Sequence, residues 1–173
     1  MIVVDEVAKL VERTSKLYGS DVFFFHGHIR EISNELIERS KTAEYRSQKY
    51  PCIMLLQDFA EVRNSNNPWN VEARLQLLIV AVSDNTYAAP TRLEKVYKPT
   101  LYPIYDAFIT ALKKSPSILS IPITNIQHEK IDRLSMTSAF NEAALSQGIK
   151  TLFNDHLDGI EIRNLNLKIT ENC

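Results

Sequence analysis

The stretch Val71-Glu72-Ala73-Arg74-Leu75-Gln76-Leu77-Leu78-Ile79-Val80-Ala81-Val82 decides the fold. Side chains of a β-strand alternate between two faces, so Val71, Ala73, Leu75, Leu77, Ile79 and Ala81 line one face. The other parity is polar at first, with Glu72, Arg74 and Gln76, and then apolar, with Leu78, Val80 and Val82. A strand wet on one face and later apolar on both enters the middle of a sheet at one end and projects from it at the other. Upstream, Pro51 opens the apolar run Cys52 to Phe59, a position where a strand tolerates proline. The turn-rich Asn64-Ser65-Asn66-Asn67-Pro68-Trp69-Asn70 separates the two runs. Two long strands joined by a polar loop predict an extended antiparallel hairpin over about 51–83.

Helices flank this hairpin. Val4, Val7, Val11, Thr14 and Tyr18 recur at helical spacing and predict a helix over about 2–18, stopped by Gly19. Val22 to Phe25 is a short β-prone run. Ile29, Ile32, Leu36 and Ile37 mark a second helix over about 29–40, followed by a polar, basic stretch from Ser40 to Tyr50 that reads as a loop or an edge strand. Leu93, Tyr97, Leu101, Ile104, Phe108 and Leu112 carry a third helix across 91–114. Pro99 and Pro103 inside it predict a kink or short break near Lys98–Tyr102. Ile126 to Leu134 reads as a third long strand, and 137–150 fits no single pattern.

The closing segment holds a phase change. Ile160 and Ile162 keep one parity, whereas Leu165, Leu167 and Ile169 keep the other. One extra residue near Arg163–Asn164 would turn all five toward one core, which predicts a β-bulge there or a strand crossing between sheets. The fold class is α+β: a single, mostly antiparallel or mixed sheet with a long projecting hairpin, packed against two or three helices. The 173 residues form one domain with no separate linker.

Composition narrows the function classes. With 45% hydrophobic and 24% charged residues, the chain has the balance of a globular domain. Its 20 basic and 21 acidic side chains leave a net charge of -1, without the basic excess of a wholesale nucleic-acid binder. Only 4 glycines argue against glycine-rich phosphate loops. Two cysteines, Cys52 in an apolar run and the terminal Cys173, make no disulfide framework. The start lacks the basic-then-apolar layout of a signal peptide, and the longest apolar run, Leu77 to Val82, is too short for a membrane span. No partner membrane is expected.

Few residues carry a chemical signal. His26 and His28 have the spacing of metal ligands on a strand, yet a site needs a third ligand, with His128, Asp132, Asp155 and His156 as the candidates. The rival reading makes Gly27 the turn that starts the second helix. Asp155, His156 and Asp158 read as turn residues at a strand entrance or as an acid–base cluster. No nucleophile elbow, Walker loop, HExxH or CxxC occurs. The expectation is a protein that is not an enzyme and takes no cofactor, with a small metal-dependent enzyme using His26 and His28 as the alternative.

The order of elements resembles phage tail-terminator and head–tail joining proteins. Three stretches carry the likeness: Lys49-Tyr50-Pro51-Cys52-Ile53-Met54-Leu55 after a helix–strand–helix start; Val71 to Ser83 followed by Arg92 to Leu112; and the terminal Leu157 to Ile169. The resemblance implies a virion structural protein of the tail or neck, assembled in the host cytoplasm. Its copies would form a ring, usually of six, that caps the tail tube and joins it to the head connector, with DNA at most passing through. A head-completion or stopper protein at the same neck is the close variant. The family transfers no site residues. Pattern alone selects Arg63, Trp69, Glu72 and Arg74 at the projecting end, and Lys41, Arg46 and Lys49 in the basic stretch, as groups that meet other copies or partners.

Overall fold

The computed structural model describes residues 3–64, 67–120, 126–136 and 153–170. The first helix, α1 (Val3–Tyr18), carries Asp5 and Glu6 in its first turn and buries Val3, Val7, Leu10 and Val11. Gly19, at φ 84, ends it as expected, its N–H donating to Ser15 O at 2.9 Å. Strand β1 (Phe23–Gly27) leads into α2 (Ile29–Lys41), and a single turn, α3 (Ala43–Arg46), occupies the stretch read as a loop or edge strand. Strands β2 (Cys52–Leu56), β3 (Ala60–Asn64) and β4 (Asn67–Val82) follow. After α4 (Ala89–Arg92) and α5 (Tyr102–Lys113) come β5 (Ile118–Ser120), β6 (His128–Ile131) and β7 (Leu157–Thr170). Among the described residues, the third long strand expected over 126–134 shrinks to β6, which ends in a turn through Arg133 (φ 56) and a 3-10 helix, Leu134–Met136. Residues 137–150 lie outside the described part of the chain.

The protein is α+β with one sheet. The strand order is β1-β2-β4-β7-β5, with β3 beside the first half of β4 and β6 beside β7. Among the described residues only the β1–β2 pair is parallel, joined across α2. The long hairpin expected over about 51–83 is not confirmed. Its first arm divides into β2, opposite residues 77–80 of β4, and β3, opposite 67–74. On its other edge β4 pairs with β7 from Asn70 to Val82, so it runs through the sheet and is not an isolated arm.

Between α4 and α5 the helix does not break. Residues Leu93–Leu101 form a π-helix that contains Pro99. In α-geometry the Pro99 ring would crowd the carbonyl four residues back, and its missing N–H would leave that carbonyl unpaired. Wider turns relieve both problems, and Tyr102 N–H reaches back to Tyr97 O. The buried stripe continues through Val96, Tyr97 and Leu101 into Ile104 and Phe108.

The phase change in β7 is resolved as the sequence predicts. Leu75 pairs with Leu165 and Leu77 with Ile162, so β7 carries one residue more than β4 between these pairs. Asn164, at φ 56, takes up the extra length. Ile160, Ile162, Leu165, Leu167 and Ile169 then all enter one core, with α1, the π-helix and α5. A smaller core on the opposite face joins Ile32 and Leu36 of α2 to Phe25, Cys52, Met54, Leu78 and Val80. Among the described residues no helix is long and apolar enough to cross a membrane.

Asn164→Val forces a β-branched residue into left-handed backbone and should lower stability by about 1–2 kcal/mol in urea melts, whereas Asn164→Gly should stay within about 0.5 kcal/mol of the native chain. Ile160→Asp or Leu167→Asp buries an unpaired charge and should abolish folding, so a soluble, cooperatively melting variant would show that the core face is misassigned.

Candidate functional site

Helices cover the two faces of the sheet unequally. The α1 and α5 side is packed from Val71 and Ile169 at one end to Ala81 and Ile160 at the other. On the opposite face, the apolar core with α2 begins only where β4 turns apolar, at Leu78 and Val80. The remaining half of that face, built from β3, the start of β4 and the end of β7, carries Val62, Glu72, Arg74 and Asn166, all exposed. Glu72 sits directly opposite Lys168, whose ammonium lies 3.2 Å from its carboxylate. Arg74 Nε donates to Asn164 Oδ1 at 2.9 Å, tying the charged face to the bulge. Pairs this exposed contribute only about 0–1 kcal/mol to folding, so their consequence is orientation and charge pattern.

At the boundary of the uncovered half lies Glu161, whose side chain is 4% exposed. Gln76 donates to one of its oxygens, and Arg163 Nη2 lies 2.8 Å from the other. That hydrogen bond and the Glu161 charge, with Glu129 as a weaker third cause, raise the Arg163 guanidinium above its usual value. A cleft of about 400 Å³ separates the bend at Asp58–Ala60 from Arg74, Arg163 and Asn164.

The residues chosen from the sequence separate into three groups. Glu72 and Arg74 lie on the uncovered face, and Arg63 is exposed on the neighbouring β3. Trp69 belongs to β4, but its side chain lies outside the described residues. Lys41 and Arg46 are exposed at the end of α2 and in α3, where Lys41 pairs with Glu38 at 2.6 Å and Arg46 Nε donates to Ser40 O at 3.3 Å. Lys49 is a correction. It is buried, its ammonium held 2.6 Å from Asp155 Oδ2 and 2.8 Å from Ser40 Oγ, so it fastens the chain before β7 and offers no charge to a partner. Tyr50 donates to the same carboxylate oxygen, and burial beside it drives the phenol far above its usual pKa.

His28 is a helix cap. Its Nδ1 accepts from Arg30 N–H at 3.3 Å, and its own N–H donates to Glu31 Oε2 at 3.0 Å. Gly27 serves this turn at φ 145, since a Cβ there would stand 3.0 Å from the capping carboxylate. Among the described residues no group of three His, Cys, Asp or Glu side chains has the arrangement to hold a metal. Cys52 is fully buried, and desolvation raises its thiol well above the usual value, which leaves little thiolate for nucleophilic work.

Sequence reading missed the most deeply buried ion pair among the described residues. Asp158 is completely buried and pairs with Arg92, which is 2% exposed. Arg92 also donates from Nε to Tyr87 O (3.0 Å), from Nη2 to Asp84 O (2.8 Å) and from Nη1 to Ser83 Oγ (3.0 Å). Asp158 accepts from Ser83 Oγ and, at 2.8 Å, from Arg133 N–H. The network joins the end of β4, the helix that follows and the turn after β6, with every charge partnered by protein. Its role is to close the covered end of the sheet. A signal was present: Asp158 stands among Leu157, Gly159 and Ile160 in a strand otherwise entering a core. His156 and Asp155 make other contacts, with Asn85 at 3.3 Å and with Lys49, so of the two readings of this segment the acid–base cluster does not assemble.

No protein-family model matches the chain, and no curated protein matches it.

Asp158→Ala leaves the Arg92 guanidinium buried without its counter-charge and should cost about 3–5 kcal/mol in chemical denaturation. A loss below about 1 kcal/mol would mean that water reaches Arg92 and that the pair is not a closed network.

Proposed function

We propose that this chain is a structural subunit of a phage tail, a tail terminator whose copies form a ring that caps the completed tube and joins it to the head connector. The observation that carries the reading is the unequal cover of the sheet. One half is sealed by helices on both faces. The other continues as a ladder of β3, β4 and β7 with one face bare among the described residues. That face presents alternating charges at fixed positions, Glu72 beside Lys168 and Arg74 against Asn164. Such a face suits docking on a repeating protein surface, where charge pattern sets register and rejects wrong partners. It is shallow and wet, unlike the concave, mostly apolar sites that hold small molecules.

Three further observations support the reading. The single sheet with one long helical segment across a face is the architecture that the resemblance implies, and fold likeness of this kind is an analogy. The deeply buried charged groups Glu6, Lys49, Arg92, Asp158 and Glu161 are each spent on internal contacts. The two metal-spaced histidines are drawn into the capping turn and the strand before it.

Electron microscopy of tails assembled with and without the protein tests the proposal. Tubes of one length with ring density at the head-proximal end are expected with it, and over-long or ragged tubes without it. Uniform, joinable tails in its absence would contradict the proposal.

A further inference from the structure

Among the described residues β1, β3, β5 and β6 each pair with a single strand, and we infer that copies of this chain join through two of these edges, with β3 of one subunit adding to the edge of β1 of the next. Among the described residues β1 pairs only with β2, and β3 only with β4. Parity shows which backbone groups β1 offers. Phe23 N–H donates to Pro51 O at 3.0 Å, and Gly27 O accepts from Gln57 N–H at 3.1 Å. The odd residues therefore face β2, and Phe24 and His26 direct their N–H and C=O outward.

This edge lacks the usual guards against pairing. It has no lysine, no proline and no bulge, and it carries Phe23, Phe24 and Phe25 in succession. Phe23 and Phe24 are half-buried, one on each face. On the α1 side a groove of about 540 Å³ runs along the start of β1, with Glu12, Lys16 and Asp21 on its walls. β3 has the matching form. It is also five residues long, and it shows Val62 on one face, 62% exposed, with Glu61 and Arg63 on the other. Laid along β1 with its charged face toward the groove, β3 sets Arg63 toward Asp21 and Glu61 toward Lys16. Val62 then packs against Phe23. Outward backbone groups supply affinity and the alternating side chains supply selectivity. The contact is heterologous, because β1 and β3 differ, so each added copy leaves one edge free until a ring closes. The proposed function requires that copies associate; this inference rests on that reading only for the ring and names the edges.

Sedimentation of the full chain tests it. The native chain should associate as concentration rises. His26→Pro removes an outward N–H and leaves the β1–β2 bonds intact, and Val62→Lys charges the other edge. Each should raise the concentration needed for association by about tenfold or more with unchanged melting. Arg63→Asp should do the same, and Asp21→Arg added to it should restore association. A native chain monomeric at every concentration, or association indifferent to all these changes, overturns the inference. Tails capped equally well by His26→Pro and Val62→Lys would overturn the edge contact and leave the tail reading standing. Association through these edges by a chain that never binds tails would do the reverse.

Discussion

The pairing of β4 with β7 is the constraint on which the rest of the structure depends. These two strands run side by side from Asn70 to Val82 of β4, and every other strand but β1 attaches to one of them. Their apolar side chains must face the same helices over the full length, yet β7 changes parity midway. Without the extra residue at Asn164, either Ile160 and Ile162 or Leu165, Leu167 and Ile169 would turn away from the core. Each misdirected side chain would forfeit roughly 1.5–3 kcal/mol of burial, comparable in sum to the whole stability of a small domain. A single residue at φ 56 removes the conflict.

The same bulge divides the sheet into two structurally different halves. On the Leu77 side of it the sheet is buried on both faces and closed by the Arg92–Asp158 network; on the Leu75 side one face is bare. Asn164 belongs to both halves, as the kink in the backbone and as the acceptor for Arg74. Rigid packing at one end fixes the position of the charges at the other, which is what a subunit needs if it works by shape and by matched surfaces. In this account association and capping draw on edges and faces that exist in the single chain, and require no group to move.

Much of this was legible in the sequence, because the informative signals were periodic. Helical spacing gave α1 and α2, alternation gave β4, and the parity change gave the bulge at the correct residues. What escaped was set by tertiary context. The proline-containing helix stays continuous because π-turns accommodate Pro99, and nothing local announces that choice. The hairpin reading failed because alternation shows which face is wet and not which strand covers the edge, and β7 lies some ninety residues away in the chain. Lys49 looked like a surface charge because its partner, Asp155, stands 106 residues further along the chain. On the uncovered face, Glu72 and Arg74 were readable as the polar parity of a strand. The Arg92–Asp158 pair was not, since burial of a charge depends on a partner that sequence spacing does not reveal.

The central claim is that the bare half of the sheet and its open edges are the working surface. Amide hydrogen exchange, compared between the free chain and the chain in assembled tails, measures this most directly. The account predicts slow exchange for 77–82 and 157–162 in both states, with new protection on assembly confined to 23–27, 60–64 and the exposed ends of β4 and β7. Protection that instead appears over α2, α5 or the Arg92–Asp158 end, with the strand edges unchanged, would contradict it.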